Sequence, residues 1–293
     1  MPKISLLQQK GNALETPRLT QLYDDIRRSA HLGAQIILLP ELFLHPYFPQ
    51  TEDPVHFKLA HNLETPEILQ LRALAQELKV VIVTPFFEKR APGVYHNSVT
   101  VIDANGDLLG TYRKMHIPDD PGFYEKYYFT PGDLGYKCFE SQYGKIGVLI
   151  CWDQWFPEAA RLTALKGCDL LVYPTAIGWD KKELAPLIDS QKLLLKEKQL
   201  NAWKIIQQSH AIANGVYLAA INRVGIEKDI IFWGNSFLCD PLGEITHLGS
   251  ENKEEFIVGE CDWKEIERTR QTWPFFRDRR IDSYDNLKQR LDD

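Results

Sequence analysis

Two runs of consecutive apolar residues, Ile36-Ile37-Leu38-Leu39 and Leu170-Leu171-Val172-Tyr173, constrain this chain more than any other feature. A strand with one wet face alternates apolar and polar residues, whereas a strand covered on both faces does not. These runs are too short for buried helices. They therefore read as strands of sheets that carry helices or a second sheet on either side. Segments of helical period fall between them in a regular rhythm, with strands expected at 4–8, 35–39 and 80–85 and helices at 18–32 and 66–78. Strands at 98–103 and 108–112 follow, joined through Asn105-Gly106, a strong hairpin signal. Next come a strand at 145–150, a helix at 157–166 and a strand at 169–173. A long helix over 189–213 turns its leucines and Trp203 inward, and strands around Val216, Phe237 and Ile257 complete the pattern. The class is α/β, and no linker divides the 293 residues into two domains. The aromatic and basic tail, 262–293, is expected to be an arm that docks on its own domain or on a neighbouring subunit.

A net charge of −6 argues against nucleic acid as a partner, since phosphate binding needs a basic excess. No stretch of about 18 apolar residues exists to span a membrane, and the opening residues form a strand pattern unlike a signal peptide. A soluble, cytoplasmic protein is expected. Its five cysteines (138, 151, 168, 239 and 261) contain no C-x-x-C pair, so neither a disulfide scaffold nor structural zinc is implied. The eight histidines show no paired ligand spacing, and no phosphate-cradling glycine motif occurs. No metal and no cofactor are called for.

One cysteine stands apart. The apolar run 145–150 delivers Cys151 to a strand-to-helix turn, and Pro157 and Glu158 open the helix beyond it. Free N–H groups and a helix dipole at such a turn favour a thiolate and the oxyanion its attack would create. A cysteine nucleophile also needs a base and a positive group. Glu41 follows the strand at 35–39 and Lys114 follows the strand at 108–112, at the strand ends where open α/β sheets place their sites. His45, His96 and His116 read as hydrogen-bonded supports rather than ligands or bases.

Pro40-Glu41, Tyr112-Arg113-Lys114 and Cys151-Trp152-Asp153 with Phe156-Pro157-Glu158 occur in the order and context of the Glu-Lys-Cys triad of the nitrilase superfamily, which this chain resembles over nearly its whole length. The resemblance implies a four-layer α-β-β-α sandwich that pairs through its central helices, hence a homo-oligomer, dimeric or larger. It implies Glu41 as general base and later acid, Cys151 as nucleophile, and an oxyanion site made of Lys114 and the Trp152 N–H. It further places a second glutamate, Glu125, beside Lys114 or the hydrolytic water. Asp153, Gly234-Asn235-Ser236 and Asp240-Pro241-Leu242-Gly243 match structural positions.

Positions 153–155, just after the nucleophile, lack the arginines with which related amidases hold a substrate carboxylate. Together with segments such as His45-Pro46-Tyr47-Phe48 and Pro174-Thr175-Ala176-Ile177-Gly178-Trp179, this resembles the branch that hydrolyses N-carbamoylputrescine. The implied partner is a small-molecule carbamoyl amine. Tyr47, Asp120, Trp155, Ala176 and Trp179 are the candidates for binding it, with Asp119 beside them. Pro49 and Asp120 depart from the pattern of that branch, where cysteine and glycine are usual. Two other readings stand beside this one: an amidase for carbamoyl-β-alanine or an ω-amide, with a cation such as Arg223 in its pocket, and a catalytically silent interaction protein that keeps the fold.

Overall fold

The computed structural model describes residues 1–11 and 16–291. Strands and helices are numbered in chain order. A six-stranded sheet contains β1 (Lys3–Gln8), β2 (Ile36–Leu38), β3 (Val81–Ala91), β4 (Val94–Ile102) and β5 (Leu108–Arg113), together with β15 (Glu255–Glu260). Its order is β15-β1-β2-β3-β4-β5, with β1, β2 and β3 parallel. A second six-stranded sheet contains β6 (Lys137–Ser141), β7 (Gly144–Val148), β8 (Leu170–Thr175), β10 (Tyr217–Asn222), β13 (Phe237–Cys239) and β14 (Ile245–Leu248), in the order β14-β13-β10-β8-β7-β6. A small third sheet joins β9 (Gly178–Asp180), β11 (Val224–Glu227) and β12 (Ile230–Trp233).

The apolar runs explain the layering. Ile36 and Leu38 join Ile4, Leu6, Val81 and Val83 in a core shared with Val148, Ile150 and Val172 of the second sheet. Their neighbours Ile37 and Leu39 point the other way, onto Leu22 and Ile26 of α1 (Thr16–His31) and Ile68 and Leu71 of α2 (Pro66–Leu78). Each strand is thus buried twice, once between sheets and once under helices. The second sheet is covered by α3 (Pro157–Ala164) and α5 (Asp189–Asn214), which completes an α-β-β-α sandwich. Among the described residues no helix is long and apolar enough to cross a membrane.

Three differences from the sequence reading have physical causes. β3 continues through Pro85 to Ala91, because β2 pairs only with Val81 to Val83 and leaves the side facing it open where proline lacks its N–H. The leucines of α5 do not all turn inward: Leu193 and Leu194 are exposed, and full burial begins only at Trp203, continuing through Gln207, His210 and Ala211 where the helix lies on the sheet. The tail opens with a helix that the sequence reading did not give, α6 (Trp263–Thr272), which docks on its own chain with the Trp263 Nε1–H donating to the Tyr143 carbonyl at 2.8 Å and Ile266 buried. From Trp273 onward the described tail is largely exposed.

Candidate active site

Cys151 sits at a forced position in the backbone. Its φ is +42°, a left-handed conformation that costs an ordinary residue energy and is held only where the surroundings over-determine it. A short 3-10 turn, Cys151–Trp155, separates it from α3. The thiol is therefore not at the mouth of an α-helix, as the sequence suggested. The nearby donors are the first N–H groups of the 3-10 turn, which have no partner within it.

Asp153 fixes this elbow. Its fully buried carboxylate accepts from the Ile150 N–H at 2.9 Å and the Tyr112 hydroxyl at 2.8 Å. It also accepts from the backbone N–H and ring Nδ1 of His116, at 3.0 and 2.7 Å. A carboxylate has no proton to donate, so the His116 ring donates. His116 stacks on Phe156 with centroids 3.7 Å apart. Since Tyr112 and His116 flank Lys114, the three bonds they make tie the end of β5 in one sheet to the elbow in the other. From outside, α5 grips the same turn: the Trp203 Nε1–H donates to Gln154 Oε1 and His210 Nε2 lies 2.8 Å from the Gln154 carbonyl.

Lys114 Nζ, fully buried, donates to Glu41 Oε1 at 2.8 Å and to Glu125 Oε2 at 2.7 Å. Glu41 Oε1 also accepts from Asn97 Nδ2 at 2.7 Å, and Glu125 Oε1 accepts from the Tyr47 hydroxyl at 2.7 Å. Glu41 Oε2 is buried with no hydrogen-bond partner. Burial alone would drive Lys114 toward its neutral form, but the charges of Glu125 and Glu41 outweigh it and hold the ammonium above the ordinary lysine value. Burial raises the Glu125 carboxyl, with Lys114 opposing and Glu41 reinforcing the rise. Burial also raises the Cys151 thiol, as does the charge of Glu41, with Lys114 opposing the rise. A carboxylate, a thiol and a buried cation set close together are the groups that attack on a carbonyl carbon requires.

A cavity of about 510 Å³ opens above Cys151, the size of a small-ligand pocket. Glu125, Cys151, Trp152, Trp155, Ala176 and Asp120 line it. The Ala176 carbonyl stands 4.0 Å from Cys151 Sγ. Two of the expected lining residues are elsewhere. Tyr47 is buried behind Glu125, and Trp179 is buried against Trp233, with Lys196 Nζ 4.5 Å from its ring centroid. Asp180 and Glu183, at the end of β9 and in the short helix α4 (Lys181–Leu184), line the cavity and were not foreseen, nor were Phe123, Gln199 and Trp233. The only signal was weak: a polar turn after the Gly178-Trp179 pair. No lysine or arginine is among the lining residues.

The carbon-nitrogen hydrolase family model matches residues 3–271 of the chain. An N-carbamoylputrescine amidase of Oryza sativa subsp. japonica is 46% identical over 268 residues, covering 88% of this chain and 85% of that protein. A citrullinase of Francisella tularensis subsp. tularensis is 38% identical over 290 residues and 97% of each chain. A crystal structure of a carbon-nitrogen hydrolase from Helicobacter pylori G27 superposes with a TM-score of 0.91 at 42% identity, covering 99% of each chain.

Proposed function

Because this chain belongs to the carbon-nitrogen hydrolase family, within the nitrilase superfamily, we propose that its cavity hydrolyses the ureido group of N-carbamoylputrescine to putrescine, carbon dioxide and ammonia. The observation that carries this reading is the charge of the wall. Asp120, Asp180 and Glu183 line the cavity with no lysine or arginine among them, which suits a terminal ammonium and repels a carboxylate. Arg223, the alternative cation for an acidic substrate, is fully buried and occupied. Its Nε donates to the Glu41 carbonyl, its Nη2 to the Leu42 and His45 carbonyls and its Nη1 to Glu227.

The mechanism follows from the floor. Glu41, with Oε2 free of other partners, accepts the Cys151 proton, and the thiolate attacks the ureido carbon. Lys114 Nζ and the Trp152 N–H hold the tetrahedral oxyanion. Collapse of that intermediate expels an amine, which takes its proton from Glu41. Water, deprotonated by the same carboxylate, then cleaves the thioester, and the carbamate decomposes. Glu125, anchored by Tyr47, keeps Lys114 in place through both halves of the reaction. Asp120 and the Trp155 ring border the amine end, and Ala176 shapes the floor beside the sulfur. Tyr47 and Trp179 act through the residues they support.

A homo-oligomer accompanies this reading. Leu162 and Leu165 beside α3, Leu193, Leu194 and Ile205 on α5, and Trp273 and Phe275 in the tail are exposed apolar residues of the kind a subunit interface covers. Light scattering at a mass above 33.8 kDa supports this, and a monomer at that mass rejects it.

The deciding assay is ammonia release from N-carbamoylputrescine, citrulline and N-carbamoyl-β-alanine at equal concentration, beside Cys151→Ala. Turnover of the first well above the other two is expected. Citrulline offers the same ureido end with a carboxylate added, so its preference would show an unrecognised cation at the wall. Turnover of none, with Cys151 unreactive to a thiol probe, would favour a silent interaction protein.

A further inference from the structure

Two thiols that the cavity does not use meet on the opposite side of the nucleophile's strand. Cys138 of β6 pairs directly with Gly147 of β7, and residues directly opposed in an antiparallel pair project to the same face. A Cβ on Gly147 would lie 2.6 Å from Thr163 Cγ2 and 3.1 Å from Cys168 Sγ. That face is therefore the one α3 covers, and the Cys168 sulfur lies over the glycine. The missing side chain leaves room in which the Cys168 sulfur lies beside Cys138, both against the same glycine. Both cysteines are free, Cys168 fully buried and Cys138 partly open to solvent.

The two thiols are not equivalent. The neighbouring Cys168 thiol draws the Cys138 thiol below its ordinary value in spite of burial, whereas Cys138 and burial together raise Cys168 well above its own. A partly open sulfur held below its ordinary thiol value beside a fully buried one held above it is the arrangement of an attacking and a resolving cysteine.

We propose that Cys138 and Cys168 form a redox-labile dithiol, oxidised reversibly by a peroxide and separate from Cys151. The Cys138 sulfur attacks the O–O bond of hydrogen peroxide, takes one oxygen as a sulfenic acid and releases the other as water once it has gained a proton. The Cys168 sulfur then displaces that hydroxyl as a second water and forms the S–S bond. Two thiols become one disulfide while peroxide is reduced to two waters, and a dithiol reductant reverses the exchange. The bridge links β6 to the turn that leads into β8. It encloses a loop of about thirty residues containing β7, the elbow and α3, so it staples the segment that carries Cys151 without entering the cavity.

The test uses the full-length protein, treated with hydrogen peroxide, alkylated, digested and mapped by mass spectrometry. A linked pair of peptides holding Cys138 and Cys168, lighter by about 2 Da than the two free peptides, is expected, reversed by dithiothreitol and formed equally in Cys151→Ala. The oxidised chain should melt several degrees higher than the reduced one, and Cys138→Ser should show neither the link nor the rise. Full alkylation of Cys138 and Cys168 after a treatment that oxidises Cys151 overturns the proposal. So does linkage of either residue to a different cysteine.

Discussion

The floor of the cavity and its outer wall hold their charges in different ways. On the floor, Lys114 lies between Glu41 and Glu125 at 2.8 and 2.7 Å, Asn97 and Tyr47 anchor the two carboxylates, and all three charged side chains are buried. On the wall, Asp180 Oδ1 accepts from the Lys182 backbone N–H and Glu183 reaches the Gln199 side-chain amide at 3.4 and 3.5 Å. Those partners are neutral. The floor's carboxylates already share a cation before a substrate arrives, whereas the wall's have none among the described residues and act on whatever enters. Bond-breaking and substrate choice are thereby assigned to separable groups, one locked by burial and the other tunable by single side chains.

The strongest way to break this comparison is at the floor's centre. Cys151→Ala should abolish turnover, a loss beyond about 1,000-fold, with a melting temperature no lower than that of the parent protein. An ammonia assay beside a thermal melt checks both. Lys114→Met removes the cation from two buried carboxylates and should cost about 3–5 kcal/mol of stability as well as activity, read from urea denaturation. Replacing Glu41 and Glu125 by glutamine in the same chain should recover much of that stability and none of the turnover. If stability stays lost, the floor is held by packing and not by charge.

At the wall the effects should be smaller and of another kind. Asp180→Asn and Glu183→Gln should each raise KM for N-carbamoylputrescine about 3–10-fold with kcat little changed, by loss of a partly solvated ion pair. The penalty should shrink in high salt. A fall in kcat at constant KM would mean that the wall takes part in the chemistry.

The smallest effect sharpens how the floor is supported. His45, in the loop that follows Glu41, is buried against His61 with ring nitrogens 2.9 Å apart. Burial, then the neighbouring His61, pushes the His45 ring down to about 3, so it folds neutral. The folded state thus binds fewer protons than the unfolded chain below the ordinary histidine value near 6.5, and stability must fall as pH drops from there toward 3. One such group gives a slope of up to about 1.4 kcal/mol per pH unit. His45→Gln should flatten the slope between pH 6.5 and 5 in denaturation experiments, above the range where most carboxylates titrate.

The floor was far more legible in the sequence than the wall, for a physical reason. Glu41 and Cys151 each follow a buried run, which announces itself as apolar sequence, and Lys114 ends the hairpin that Asn105-Gly106 announces. Asp180 and Glu183 lie on a three-residue strand and a single helical turn, which give no periodic signal. The third sheet was missed for the same cause, since strands of three or four residues such as those at Val224 and Ile230 resemble loops. The left-handed backbone at Cys151 left no trace either, because glycine, its usual mark, is absent there. The exposed leucines of α5 misled in the opposite sense: an apolar residue on a helix states a preference for cover without saying which molecule provides it.

Glu41 and Lys114 stand on one sheet and Cys151 and Ala176 on the other, so proton transfer between base and thiol crosses the seam between two layers. The seam acts as a gauge. Its spacing is set by the packing of Leu6 and Leu38 of one sheet with Val148 and Ile150 of the other, in the same core as Cys151. A core substitution that widens the seam by a fraction of an ångström would therefore register as lost turnover before it registers as lost structure.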